Sequence, residues 1–305
     1  MGTVRQLRSR PETVTISEAS AAYLATVDHE ESRETWRAYG VTLRALRAGL
    51  GDMQLDELAD AAVAEWFARQ WSGSAPGTWN RHLAALRSVF RYWDDQGWLP
   101  AGIPAQGLRQ RKRPADRSRA LSRADIRQLL GREDIALREK ALWRMLYETA
   151  ARSHEILALD VGDLDLANRK AKVRRKGGAA DVITWQTGTA RLLPRLLKGR
   201  KTGPVFLTDR RARVQLPPAD LDPASGRARL SYRQAHGLFK AAAGGATLHQ
   251  LRHSALTHAA EEGASTSTLL AYSGHTSVAS LARYARVSPE ALAHWQAQRD
   301  LARRL

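Results

Sequence analysis

The chain has 305 residues, no cysteine, and 48 Lys and Arg against 31 Asp and Glu, a net charge of +17. That length suits about two domains with substantial cores, and the absence of thiols excludes a disulfide framework and any thiolate-bound metal. So basic a surface seeks polyanions, and because the excess is mostly arginine, whose planar fork grips phosphate oxygens in pairs, a nucleic-acid backbone is a better expected partner than a membrane.

The opening stretch "MGTVRQLRSRPETVT" lacks the apolar segment of a secretory signal, and no apolar run approaches about 18 residues. The expectation is a soluble, cytoplasmic protein with a short tail over residues 1–12. Residues 16–98 read as helices. "SRETWRAYGVTLRALRAGL" spaces Trp36, Tyr39, Leu43, Leu46 and Leu50 by threes and fours, and "LDELADAAVAEWFARQW" repeats the pattern behind an acidic first turn. "SAPGTWNRHLAALRSVFRYWDDQGW" then aligns Trp79, Leu83, Leu86, Phe90 and Trp93 as a core stripe, while Arg81, Arg87 and Arg91 project elsewhere. The pattern predicts a small helical bundle with an arginine-bearing face for DNA.

Residues 108–119, "LRQRKRPADRSR", hold six Arg or Lys against one Asp, with a proline in the middle and no apolar period. This is a basic linker, and Arg111, Lys112 and Arg113 are candidate phosphate contacts. A second domain, 120–305, opens with the serine-capped "LSRADIRQLL" and the periodic "LREKALWRMLYETAARSHEIL". "DVGDLDLANRKAKVRRKGGAADVITW" follows as three short alternating runs, predicting a small three-stranded antiparallel sheet with two hairpins. Helices resume from Gly188, interrupted by "TDRRARVQLPPADLDPASGRARLS", which reads as a long surface loop. The fold class expected is mainly α.

The polar residues of the second half are the candidates for chemistry. "TLHQLRHSALTHAAEEG" spaces His249 and His253 as zinc proteases do, but the position of their catalytic glutamate is Gln250, a neutral amide that cannot activate a bound water. Arg252 is more telling. It falls inside the apolar face formed by Leu248, Leu251, Ala255, Leu256 and Ala259, where a permanent cation needs an anion in reach; the alternatives are an internal carboxylate and a bound phosphate. His249 lies one helical turn ahead of it. In "ETAARSHEIL", Arg152 precedes Glu155 by three at a break between helices, a spacing that lets the carboxylate steady the arginine. Lys176 sits at a Gly-Gly hairpin tip, and "YSGHTSVASLARYARV" supplies His275 and, nine residues later, Tyr284.

Taken in order, Arg152, Lys176, His249-x-x-Arg252, His275 and Tyr284 resemble the catalytic set of the tyrosine recombinase (phage integrase) family. "HQLRHSALTH" is similar to that family's His-x-Leu-Arg-His box, and "SGHTSVASLARYARV" to the Leu-Gly-His box that leads to the tyrosine. The resemblance spans nearly the whole chain, since residues 13–107 are similar to the SAM-like core-binding bundle that these enzymes carry ahead of a linker. It implies a DNA breaking-rejoining fold and a site-specific recombinase that needs no metal or other cofactor. Arg152, Arg252, His249 and His275 would hold the phosphate, Tyr284 would attack it, Lys176 would protonate the leaving oxygen and Glu155 would support. It also implies a duplex with inverted-repeat sites as partner, possible accessory proteins, and a tetramer coupled through the terminal helix "SPEALAHWQAQRDLARRL", whose Leu292, Trp295 and Leu301 give it an apolar side. His253 is expected to be structural and His258 to lie at the surface. Three departures stand out: Ala150-Ala151 for the usual Gly-Leu, His154 for serine, and Ser273 for leucine. The rival readings are a catalytically silent DNA-binding regulator and a type IB topoisomerase.

Overall fold

The computed structural model describes residues 14–27, 33–112, 120–175, 178–275 and 277–281, with single positions at 293, 296 and 297. The expected tail, Arg113, Lys176, Tyr284 and the terminal helix with its Leu292, Trp295 and Leu301 lie outside the described residues. The chain divides into two compact units, residues 1–116 and 117–305. Among the described residues no helix is long and apolar enough to cross a membrane.

The first unit is a bundle of α1 (Ile16–Thr26), α2 (Arg33–Leu50), α3 (Asp60–Trp71) and α4 (Pro76–Asp95). Thr15 and Glu18 form a reciprocal capping box that starts α1, and Pro76 starts α4 at the position where a missing N–H costs nothing. The stripe read on α4 is the core: Trp79, Leu83, Leu86, Phe90 and Trp93 are buried with Leu43, Leu46, Trp66 and Phe67. "LDELADAAVAEWFARQW" is not one helix. A 3-10 turn, Leu55–Glu57, precedes an extended Leu58, and α3 begins only at Asp60. Leu55 donates its N–H to Val14 and Ile16 donates to Met53, so pairing with the start of α1 diverts a stretch whose apolar period alone would continue as helix.

The second unit contains α5 (Arg123–Gly131), α6 (Leu137–Thr149), α7 (Ser153–Leu157), β1 (Leu164–Asp165), β2 (Lys170–Arg174), β3 (Ala180–Thr184), α8 (Thr187–Leu197), β4 (Leu207–Arg211), β5 (Arg227–Arg229), α9 (Tyr232–Ala242), α10 (Leu248–Glu261) and α11 (Thr266–Ser273). Strands β1, β2 and β3 form the expected antiparallel sheet, in register from Lys170 opposite Thr184 to Arg174 opposite Ala180. Helix α6 runs through the core. Leu142, Trp143, Met145 and Leu146 are all buried, with Trp143 edge-on to Phe239 at 5.2 Å between ring centroids.

Two expectations are corrected here. "TDRRARVQLPPADLDPASGRARLS" is not wholly loop, because its ends pair as β4 and β5. Arg229 anchors the pair by donating to Asp160 at 2.7 Å and Asp220 at 2.9 Å, and the prolines mark only the connection between the strands. His258 is buried rather than at the surface. Its Nδ1 meets the Tyr147 hydroxyl at 2.8 Å, and burial, reinforced by the nearby Arg123 charge, holds the imidazole below its ordinary pKa.

Candidate active site

Helix α6 ends where Ala150 turns left-handed (φ 48°, ψ 18°), and the chain re-enters a helix two residues later with Arg152 as the N-cap of α7. This reversal brings Glu155 back beneath Arg152. The carboxylate is buried and accepts three hydrogen bonds: from the Arg152 amide at 2.8 Å, from Arg152 Nη1 at 2.9 Å and from Arg175 Nη1 at 2.9 Å. The Arg152 guanidinium keeps 30% of its side-chain surface open, while that of Glu155 keeps 0%. One edge of the guanidinium is therefore held on Glu155, and the side chain stays partly open to solvent.

Arg252 arrives from α10. It is 3% exposed, as its place within the apolar face requires. Its guanidinium donates to the carbonyl of Ala150, to the carbonyl of Ser273 at 2.8 Å, and lies 3.3 Å from His275 Nε2. The Ser273 carbonyl also receives Arg175 Nη1 at 3.5 Å. A continuous set of contacts thus runs from Arg152 through Glu155, Arg175 and Ser273 to Arg252 and His275. Gly274, at φ +61°, turns the chain sharply after α11 and folds the Ser273 hydroxyl back onto the next residue but one. That hydroxyl meets His275 Nδ1 at 2.8 Å and the His275 amide at 3.2 Å.

Of the expected catalytic residues, Arg152, Arg252 and His275 belong to this network, with Glu155 in support. His249 is exposed on α10 one turn ahead of Arg252. Gln250, at the position of a zinc protease's glutamate, accepts from the Thr247 amide at 2.8 Å and closes the capping box that starts α10. His253 Nδ1 meets Thr257 Oγ1 at 3.1 Å. His154, the second departure, is exposed on α7, whereas Glu155 is buried.

Arg175 is not among the expected residues, although the sequence carries its signal. Along β2 the burial alternates, with Ala171 and Val173 inside, and the same period carries Arg175 to the inner face, where an arginine needs carboxylates.

In the first unit Arg81, Arg87 and Arg91 are exposed along α4. Arg87 donates to the Leu108 carbonyl at 2.7 Å. Arg111 is bound more firmly: its guanidinium stands 3.8 Å over the Trp79 ring and donates to the Ser72 carbonyl at 2.8 Å, and its main chain exchanges two 2.8 Å hydrogen bonds with the Asn80 amide. Arg81, Arg111 and Lys112 border one open groove of about 870 Å³ beside α4.

Comparison with known proteins agrees with this geometry. Residues 119–291 match the model of the phage integrase family, and residues 21–97 match that of its N-terminal SAM-like domain. Proteins named tyrosine recombinase XerC from Mycobacterium tuberculosis (strain ATCC 25177 / H37Ra) and Mycobacterium bovis (strain BCG / Pasteur 1173P2) are each 33% identical over 84% of this chain and 89% of their own length. The chain belongs to the phage integrase family. As a tyrosine recombinase it shares its fold with a Tn1549 transposon integrase solved with circular intermediate DNA (TM-score 0.67, 16% identity, 93% of this chain and 99% of that one). It also shares it with a lambda integrase solved as a tetramer on a Holliday junction (TM-score 0.69, 16% identity, 92% of this chain and 80% of that one).

Two further tyrosines of the second unit, Tyr272 and Tyr232, differ in their surroundings. The Tyr272 hydroxyl donates to the carbonyls of Tyr147 at 3.2 Å and Glu148 at 3.0 Å, and burial pushes its pKa far above the ordinary value. It is a strut between α11 and α6. Tyr232 is exposed and stacks on His236 at 5.6 Å between ring centroids.

Proposed function

We propose that this recombinase cuts and rejoins duplex DNA through a 3′-phosphotyrosyl ester with Tyr284 as the nucleophile. The observation that supports the reading most is the network joining Arg152 to Arg252 and His275. In-line displacement at a phosphodiester builds charge on the nonbridging oxygens, and two pre-oriented guanidiniums answer it with paired donors at no cost of reorganisation. His249 and His275 complete the phosphate contacts, and Glu155 orients Arg152 rather than reacting. The Tyr284 phenol releases its proton to solvent as its oxygen bonds to phosphorus and the bond to the 5′ oxygen breaks, and that leaving oxygen takes its proton from Lys176. The ester conserves the bond energy, so a second 5′ hydroxyl reverses the step without ATP or metal.

In this reading residues 13–107 grip the duplex with Arg81, Arg87 and Arg91, the linker 108–119 adds Arg111, Lys112 and Arg113, and residues 120–305 perform the chemistry. The partner is cytoplasmic DNA with inverted-repeat sites, on which four protomers assemble through the C-terminal helix. The task is integration and excision of a mobile element or resolution of replicon multimers. The folds shared with integrases solved on a core site and on a Holliday junction support a duplex and an assembly of protomers.

The test is covalent trapping. Rapid denaturation of the protein on cellular DNA should yield protein–DNA adducts whose sequences share a short inverted repeat, and Tyr284→Phe should bind that repeat yet give none. An adduct that survives in Tyr284→Phe would move the nucleophile to another residue, and its absence from the wild-type protein would favour a silent DNA-binding regulator.

A further inference from the structure

We propose that Arg175 is a positioning residue that locks the β2–β3 hairpin to the phosphate clamp and thereby sets where the neighbouring Lys176 delivers its proton; the inference rests on the lysine's role given above.

Arg175 is the last residue before the lysine, at the point where β2 leaves the sheet. Its amide donates to the Ala179 carbonyl at 2.8 Å and its carbonyl receives the Gly178 amide at 3.1 Å, so its own main chain closes the hairpin. Its side chain turns inward and is 9% exposed. There the guanidinium bridges two carboxylates, Glu155 at 2.9 Å and Asp181 at 2.8 Å. Glu155 is the same carboxylate that steadies Arg152, whereas Asp181 belongs to β3, the returning arm of the hairpin. The guanidinium also contacts the Ser273 carbonyl, to which Arg252 donates. One planar cation therefore ties both arms of the hairpin to both arginines of the clamp. The fit at the far end is close: a Cβ added at Gly274 would stand 2.3 Å from the Arg175 guanidinium carbon, so the glycine before His275 makes room for it. A hairpin tip is by default the loosest part of a sheet, and a proton donor carried on one reaches its target only if the base of the hairpin is fixed.

The test uses the leaving group. On a site duplex with the normal bridging 5′ oxygen, Arg175→Ala should slow single-turnover cleavage by about 10²-fold, the cost of a small misplacement of a catalytic group. Replacing that oxygen with sulfur gives a leaving group that scarcely needs a proton, and there Arg175→Ala should recover to near the wild-type rate, as Lys176→Ala should. Asp181→Asn cuts only the outer, half-exposed anchor and leaves the Glu155 pair in place. It should show a smaller defect with the same recovery on sulfur, so the proposal stays open to refutation even where Arg175→Ala fails to fold. Recovery of Lys176→Ala without recovery of either other variant would overturn the proposal and leave the lysine's role standing. Failure of Lys176→Ala itself to recover would remove the lysine as proton donor, and the proposal with it.

Discussion

At the scale of single residues, two of the three departures from the family pattern carry the network. Ala150 stands where the family has glycine and takes the left-handed conformation all the same, at a cost of about 1–2 kcal/mol, because its carbonyl must face Arg252. Ser273 stands where the family has leucine, and its hydroxyl meets both the Leu270 carbonyl at 3.3 Å and His275 Nδ1 at 2.8 Å, so it holds the ring by one nitrogen. The ring's other nitrogen lies on the Arg252 side, 3.3 Å from the guanidinium. Removing the hydroxyl in Ser273→Ala deletes one net hydrogen bond of about 1 kcal/mol, so single-turnover cleavage should fall about five-fold with DNA affinity unchanged. Nitrogen NMR of the imidazole should differ between the unsubstituted protein and Ser273→Ala; an unchanged ring would mean that another group holds it. The burial of Arg252 is legible in the sequence because a helical wheel is enough to reveal it. The role of Ser273 is not, since only the turn at Gly274 brings hydroxyl and ring together. His258 escapes the sequence for a related reason: a histidine that faces Tyr147 across two helices looks, along its own helix, like any polar residue.

At the scale of elements, periodicity foretells the helices and the three-stranded sheet, while the points where the chain changes direction depend on distant partners. Helix α8 is the clearest instance. Its own N-cap, Gln186, makes no side-chain cap, and the free amides are met by a carboxylate 38 residues earlier: Glu148 of α6 accepts from Gln186 N at 3.0 Å and from Thr189 N at 3.1 Å. The negative charge also suits the positive end of the helix. Glu148→Ala should lower the stability of the unit holding α6 and α8 by about 2 kcal/mol, combining the loss of a cap with buried N–H groups left unmet. Urea titration reads the loss, and Glu148→Gln, which keeps an acceptor, should lose less. Equal losses in the two variants would assign the effect to charge rather than to the cap. The same dependence on distant partners explains the break at Leu58 and the β4–β5 pair: the first answers to Val14 and Met53, the second to Asp160, and neither is visible within its own segment.

At the scale of the whole molecule, a net charge of +17 predicts association dominated by counterion release, and the structure divides the arginines and lysines that the sequence offers as phosphate contacts. Arg81 and Lys112 are exposed on the same groove. Arg111, by contrast, covers Trp79 and holds the Ser72 carbonyl, so its loss would loosen the packing of this segment against the start of α4 as well as remove a charge. Composition shows how much charge there is, but only packing shows which cations are committed to the fold. Removing one cation from a DNA phosphate should reduce the slope of log affinity against log salt by about 0.9. The double variant Arg81→Gln with Lys112→Gln should therefore flatten the slope by about 1.8 without moving the thermal unfolding midpoint. Arg111→Gln should lower that midpoint and alter the slope by about 0.9 at most. Binding titrations on one duplex between 50 and 200 mM salt, about the range over which counterion release is steepest to read, decide the matter. A slope unchanged in the double variant would mean that the groove beside α4 faces away from the DNA and that the charge acts from another surface.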